Sequence, residues 1–166
     1  MGAITAIYAH YVEHSTSTFE TEAPSIAEMT RRRADILARK LPYFVMECPD
    51  SGVIGYAYAT MYRPRAAYRF TVEDSIYIHP DFGRRGIGRV LLQAVIEECE
   101  SQDYRQMVAV IGGSDNQGSI ALHTALGFKS AGVLESAGYK FDRWVDSVLM
   151  QRKLGAGSTT RPRNES

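Results

Sequence analysis

The chain has 166 residues, 45% of them hydrophobic, which suits one domain that buries a core of its own and excludes a chain too polar to fold. Lys and Arg number 19, as do Asp and Glu, and the formal net charge of 0 excludes the basic footprint of a general nucleic-acid binder or a membrane-surface protein. The only cysteines are Cys48 and Cys99, with no secretory segment, long apolar run or nearby histidines; this reads as a reduced cytoplasmic protein without a disulfide framework or a structural metal.

From the start, Ile4, Ile7, Tyr8, Tyr11 and Val12 recur on one face and predict an amphipathic helix. Residues 13–24 read as a polar loop whose single large apolar side chain, Phe19, would anchor it to the core. Ser25-Ile26-Ala27-Glu28 is a capping box that opens a second helix ending near Lys40. Its run Arg31-Arg32-Arg33, with acids nearby, reads as a solvated face. Residues 43–48 and 53–60 are strand-like and flank the turn Pro49-Asp50-Ser51-Gly52, which predicts a hairpin. After a loop over residues 61–67, a strand is expected from Tyr68, running on through Glu73 to His79.

Pro80 denies that strand its next backbone donor, and Leu92, Val95, Ile96 and Cys99 then recur at helical spacing. Gly83, Gly86 and Gly88 therefore lie between a strand end and a helix start, where backbone N–H groups and the helix dipole favour an anion. Arg84, Arg85 and Arg89 add positive charge there. A Walker A loop would need Gly-Lys-Ser/Thr, but Arg89-Val90 follows Gly88. A dinucleotide fingerprint reads G-x-G-x-x-G, whereas this stretch reads G-x-x-G-x-G.

Beyond the long helix come a strand over residues 106–111, a Gly/Asp/Asn loop, a short helix over 119–126 closed by Gly127, and strands over 128–134 and 144–152. Residues 1–154 form the single expected domain, and residues 155–166 read as a tail too polar to fold. The order of elements predicts an α/β sandwich around a mixed, mainly antiparallel sheet.

The glycine loop resembles the pyrophosphate loop of the GNAT acetyltransferases, usually Gln/Arg-x-x-Gly-x-Gly/Ala. Gly86 and Gly88 match it, while Gly83 stands where the family has Gln or Arg, with Arg84 and Arg85 beside it. Asn116 to Phe128 is similar to the family's Asn-x-x-x-x-x-Leu-Tyr-x-x-x-Gly-Phe run, with His123 at the tyrosine position. The family normally begins with a strand; only Met1-Gly2-Ala3 precede the first helix here, so either that edge strand is missing or the start is placed late.

A narrower resemblance covers nearly the whole chain. Residues 15–22, the Thr71-Val72-Glu73-Asp74-Ser75 piece, Val108 to Gly112, Leu122-His123 and the Gly138-x-Lys140-x-x-x-Trp144-x-Asp146 piece resemble the phosphinothricin and methionine sulfoximine/sulfone N-acetyltransferases. That resemblance implies a homodimeric enzyme that moves acetyl from acetyl-CoA to the α-amine of a small amino-acid analogue. It implies cofactor contacts from Ile76, Tyr77, Ile78, Gly83, Arg84, Arg85, Gly86, Ile87, Gly88, Arg89 and Asn116.

An α-amine is mostly protonated at neutral pH, so the reaction needs a base; the family's base matches Glu73, which otherwise reads as an exposed strand residue. The N–H of Ile78 is the expected donor to the developing oxyanion, and His123 the expected proton source for the departing thiolate, unless it is only a packed histidine. A substrate carboxylate calls for arginine, with Arg69 first and Arg65 second, and Tyr68 and Phe19 as pocket walls; surface charge and core aromatics are the alternatives. Lys140 and Trp144 receive no role from spacing. The competing functions are an acetyltransferase for a protein N-terminus, an aminoglycoside or a polyamine, and a non-catalytic acyl-CoA sensor.

Overall fold

A computed structural model describes residues 1–163. The elements run α1 (Gly2–His14), α2 (Ile26–Ala38), β1 (Tyr43–Cys48), β2 (Gly52–Met61), β3 (Thr71–Ile78), α3 (Ile87–Ser101), β4 (Gln106–Gly112), α4 (Gln117–Ala125), β5 (Lys129–Lys140) and β6 (Arg143–Lys153). Among the described residues the strands form one six-stranded sheet in the order β1-β2-β3-β4-β6-β5. Every neighbouring pair is antiparallel except β3 and β4. The expected mixed, mainly antiparallel α/β architecture is therefore the observed one, and no strand precedes α1 among the described residues.

The period-2 pattern of β3 assigns its two faces to two cores. Val72 is fully buried on one face, with Ile76 and Ile78 packed beside it against Leu91, Leu92, Val95 and Ile96 of α3. On the other face Tyr77 packs with Tyr56 of β2 against Ile4, Ile7, Tyr8 and Val12, the stripe expected for α1. Ser25 caps α2 by accepting from the Glu28 N–H. Glu28 itself pairs with Arg31 and Arg32, so the reciprocal half of the capping box is absent. Arg32 also reaches Glu20 at 2.6 Å, which ties the arginine run to the preceding loop.

Several boundaries depart from the sequence expectation. Tyr68, Arg69 and Phe70 precede β3 because Tyr68 N–H donates to Arg65 O and Arg69 N–H to Ala66 O. Those donors close a short 3₁₀ turn, Ala66–Tyr68, and are lost to a strand ladder. The strand expected to stop at residue 134 continues to Lys140, crossing an irregularity between Leu134 and Gly138. Residues 155–163, expected to be a polar tail, make hydrogen bonds to the body of the domain. Arg105, only 6% exposed, donates to the carbonyls of Gly157 and Arg161 and to Thr160 Oγ1, and the Arg163 N–H reaches Asp103. A buried guanidinium requires acceptors, and these carbonyls supply them. Residues 164–166 of the expected tail lie outside the described residues.

Candidate active site

β3 and β4 are parallel but pair only over Thr71–Glu73 and Gln106–Val108. Beyond that they diverge, and Asp74–Ile78 and Ala109–Gly112 become facing walls of a cavity of about 580 Å³. The glycine loop and the start of α3 line it, as do Glu73, Tyr11 and Phe19 from the α1 side and His123 and Asn116 from α4 and its cap.

The loop end has the features of an anion site. The first intrahelical bond of α3 runs from Val90 N–H to Gly86 O, so the N–H groups of Ile87, Gly88 and Arg89 have no acceptor within the helix. Gly86 sits at φ +80°, a conformation that disfavours any side chain. Gly88 has a packing role as well: a Cβ there would stand 3.3 Å from Leu122 of α4 and 3.6 Å from Ile76 of β3. Arg84 and Arg89 line the cavity with Gly83, Gly86 and Ile87. Arg85 does not; its guanidinium stacks on Phe82, 4.9 Å from the ring centroid.

Backbone donors also face the gap. His79 N–H bonds to Ile54 O, and Tyr62 N–H to Thr71 O at the opposite end of the β2–β3 register. The alternation of an antiparallel pair then turns the N–H groups of Ile76 and Ile78 away from β2, toward the diverging β4. Tyr77, between them, points its polar backbone groups at β2. Tyr11 Oη donates to Ile78 O at 2.7 Å, so the last carbonyl on this edge is already satisfied.

Glu73 stands on β3 opposite Thr60 of β2. Its carboxyl is half-buried, and burial, reinforced by the charge of Asp74 and opposed by Arg63, pushes its pKa up to about 7. Close to neutral pH it therefore exists in both protonation states, which is the property of a general base.

His123 is 2% exposed and held at both nitrogens: Nδ1 lies 2.7 Å from Ser119 O and Nε2 3.0 Å from Asp74 Oδ2. Burial lowers its pKa, but the Asp74 hydrogen bond and charge, with the Ser119 carbonyl, outweigh this and the net direction is upward. Asp74 occupies the face of β3 that also carries Val72, Ile76 and Ile78. A carboxylate in that apolar register needs a buried partner; the sequence reading gave Asp74 no role, and this register is the signal that could have found it.

Asn116 caps α4: its Oδ1 accepts from Ser119 N–H and its Nδ2 donates to Ser17 Oγ, both at 3.2 Å. Phe19 is 40% exposed and lines the cavity. Arg65, Tyr68 and Arg69 do not line it; they form the exposed turn between β2 and β3, where Arg69 donates to Ala66 O and lies over the Phe70 ring. Arg63, which spacing did not single out, is likewise exposed and outside the lining, over the Tyr62 ring at 5.0 Å, and its charge favours the ionised form of Glu73.

The family model described as the acetyltransferase (GNAT) family matches residues 5–128. A phosphinothricin N-acetyltransferase of Alcaligenes faecalis is 55% identical over 160 residues, covering 96% of this chain and 81% of that protein. An L-methionine sulfoximine/L-methionine sulfone acetyltransferase of Pseudomonas aeruginosa is 39% identical over 154 residues, covering 91% of this chain and 87% of the relative. The crystal structure of a GNAT superfamily phosphinothricin acetyltransferase from Sinorhizobium meliloti in complex with acetyl-CoA superposes with a TM-score of 0.95 at 44% identity, over 99% of this chain and 88% of that one. A diverging parallel strand pair, a glycine-started helix and a raised carboxyl thus sit on the backbone of these enzymes, and the chain belongs to the GNAT acetyltransferase family as an N-acetyltransferase.

Proposed function

We propose that the chain transfers the acetyl group of acetyl-CoA to the α-amine of a small amino-acid analogue of the phosphinothricin, methionine sulfoximine or methionine sulfone class, by direct attack within a ternary complex. The observation that carries this reading is Glu73, a half-buried carboxyl with its pKa raised to about 7, in the same cavity as the anion-binding start of α3.

When bound, acetyl-CoA supplies an electrophilic thioester. The Ile87, Gly88 and Arg89 N–H groups, with the Arg84 and Arg89 side chains, suit its pyrophosphate, and the free edge of β3 suits the polar arm that leads inward. Glu73 takes the proton of the attacking ammonium, directly or through one water. The Ile78 N–H, facing the gap, is the donor for the oxygen that gains charge. His123 acts as a fixed positive group beside the leaving sulfur, since both of its nitrogens are engaged. For the substrate carboxylate Arg63 joins Arg69 and Arg65 as a candidate because its charge acts on Glu73; all three lie on the β2–β3 connection outside the cavity lining.

The homodimer expected from the family draws support from β5 and β6, which expose Val133, Leu134, Tyr139 and Trp144 near the edge of the sheet. Two free thiols and dependence on acetyl-CoA fit a reducing cytoplasm. No described helix is long and apolar enough to cross a membrane.

The test is a thiol-release assay with acetyl-CoA against phosphinothricin, methionine sulfoximine, methionine sulfone, glutamate, polyamines, an aminoglycoside and a peptide N-terminus. Turnover of the first three well above the rest is the expected result. Efficient turnover of the polyamine, aminoglycoside or peptide alone, or acetyl-CoA binding without any transfer, would overturn the reading.

A further inference from the structure

Lys140, at the end of β5, is 5% exposed, yet no carboxylate forms an ion pair with it among the described residues. Its Nζ donates to two backbone carbonyls of one distant turn, Ser15 O at 2.7 Å and Thr18 O at 2.8 Å, and lies 5.0 Å from the Phe141 ring centroid. An ammonium is costly to bury, and here it is spent on carbonyls that neither a helix nor a sheet satisfies.

The turn it holds lies against bare backbone. A Cβ at Gly112 of β4 would collide with Thr16 O, and a Cβ at Gly138, two residues before Lys140 on β5, would stand 2.5 Å from Phe19 Cε2. Both glycines are thus places where the turn approaches the sheet more closely than any side chain allows. The same turn presents Ser17, Thr18 and Phe19 to the cavity. Asp146, on β6, holds the neighbouring wall: its two oxygens accept from Ser114 Oγ at 2.6 Å and from Ser136 N–H at 2.9 Å. Lys140, which spacing left without a role, and Gly138 thereby share one task.

We propose that Lys140 is the positioning residue that clamps the Ser15–Thr18 turn onto the Gly112 and Gly138 surface, fixing Phe19 as the wall against which the acceptor amino acid is held. The acceptor part of this inference rests on the function proposed above; the clamp itself does not. The turn stays with α1 on one face of the sheet, Thr18 Oγ1 lying 3.0 Å from Tyr8 Oη, whereas α3 packs on the opposite face, so losing the clamp should affect the acceptor more than acetyl-CoA.

Lys140→Met, Lys140→Arg and Gly138→Ala are to be compared with wild type by amide hydrogen exchange and by steady-state acetyl transfer to methionine sulfone. In Lys140→Met, exchange over residues 16–20 should quicken tenfold or more with α3 unchanged. The KM for the acceptor should rise about tenfold, with the KM for acetyl-CoA within about twofold of wild type. Gly138→Ala keeps the ammonium but displaces Phe19, and should reproduce the acceptor effect; Lys140→Arg should restore much of the protection. Unchanged exchange and acceptor KM in folded Lys140→Met would overturn the clamp. Should Lys140→Met fail to fold, an unchanged acceptor KM in Gly138→Ala does so instead. If wild type acetylates none of the amino-acid analogues, the functional reading falls, and the exchange measurement alone still decides whether Lys140 holds the turn.

Discussion

His123 Nε2 and Asp74 Oδ2 lie 3.0 Å apart with both side chains almost wholly buried, while His123 Nδ1 faces the Ser119 carbonyl at 2.7 Å. The Ser119 carbonyl can only accept, and the Asp74 carboxyl beside the second nitrogen favours the protonated ring, so these contacts hold the His123 pKa above its ordinary value. A pKa raised in the folded state stabilises the fold fully below the ordinary histidine value near 6.5, and that contribution fades as pH rises through the higher folded value. His123→Leu should therefore cost more at pH 6 than at pH 9, with a loss of about 3 kcal/mol at the lower pH because Asp74 is left buried and unpaired. Urea denaturation at the two pH values checks this; equal losses would mean the ring is neutral.

Glu73 has the opposite consequence for stability. Its folded pKa of about 7 lies above the ordinary carboxyl value of 4.5, so the fold is penalised once pH rises through that window and Glu73 must ionise. Glu73→Gln should leave stability unchanged below pH 4.5 and raise it by about 1–3 kcal/mol above pH 7. The same variant should lose about a hundredfold or more in turnover, with a smaller deficit at high pH, where free amine accumulates. Stabilisation without loss of turnover would remove Glu73 from the base role.

At the mouth of α3, Gly86 holds φ +80° with open space where a side chain would point. Gly86→Val should cost about 1–3 kcal/mol in backbone strain and weaken acetyl-CoA binding by tenfold or more, because the branched side chain enters the path to the Ile87 and Gly88 N–H groups. Calorimetric titration with coenzyme A measures the second effect. Unchanged affinity in a folded variant would move the pyrophosphate elsewhere.

The arginines make a paired prediction. Arg63→Ala should raise the KM for methionine sulfone at least tenfold, and should lift the acidic limb of the pH profile by removing a charge that favours ionised Glu73. Arg69→Ala should change either quantity by less than about threefold, since Arg69 donates to Ala66 O and lies over the Phe70 ring. A larger effect from Arg69 would restore it as the carboxylate partner.

At the other end of the chain, Arg105→Ala removes the donor shared by Gly157, Thr160 and Arg161. It should cost about 2–4 kcal/mol and make residues 156–163 protease-sensitive, while leaving KM values unchanged, because these contacts lie outside the cavity. Limited proteolysis with kinetics on the same sample separates the two outcomes.

Local patterns in the chain sufficed for much of the architecture and for the glycine-loop end of the cavity. The hairpin of β1 and β2, the stripe of α1, the period-2 faces of β3 and the glycine start of α3 each follow from residues close in sequence, where periodicity and turn chemistry act over a few positions. Glu73 and Asn116 were legible through motif likeness, and both line the cavity. The partners were not legible. Asp74 and His123 are 49 residues apart, and Lys140 reaches Ser15 across 125. A buried polar group declares that it needs a partner without saying which, and only the packed fold brings the two within hydrogen-bond distance. The same holds for the arginines. Arg65 and Arg69 stand nearer Glu73 in sequence than Arg63 does, but backbone hydrogen bonds close the 3₁₀ turn over Ala66–Tyr68, and Arg65, Tyr68 and Arg69 stay outside the cavity lining.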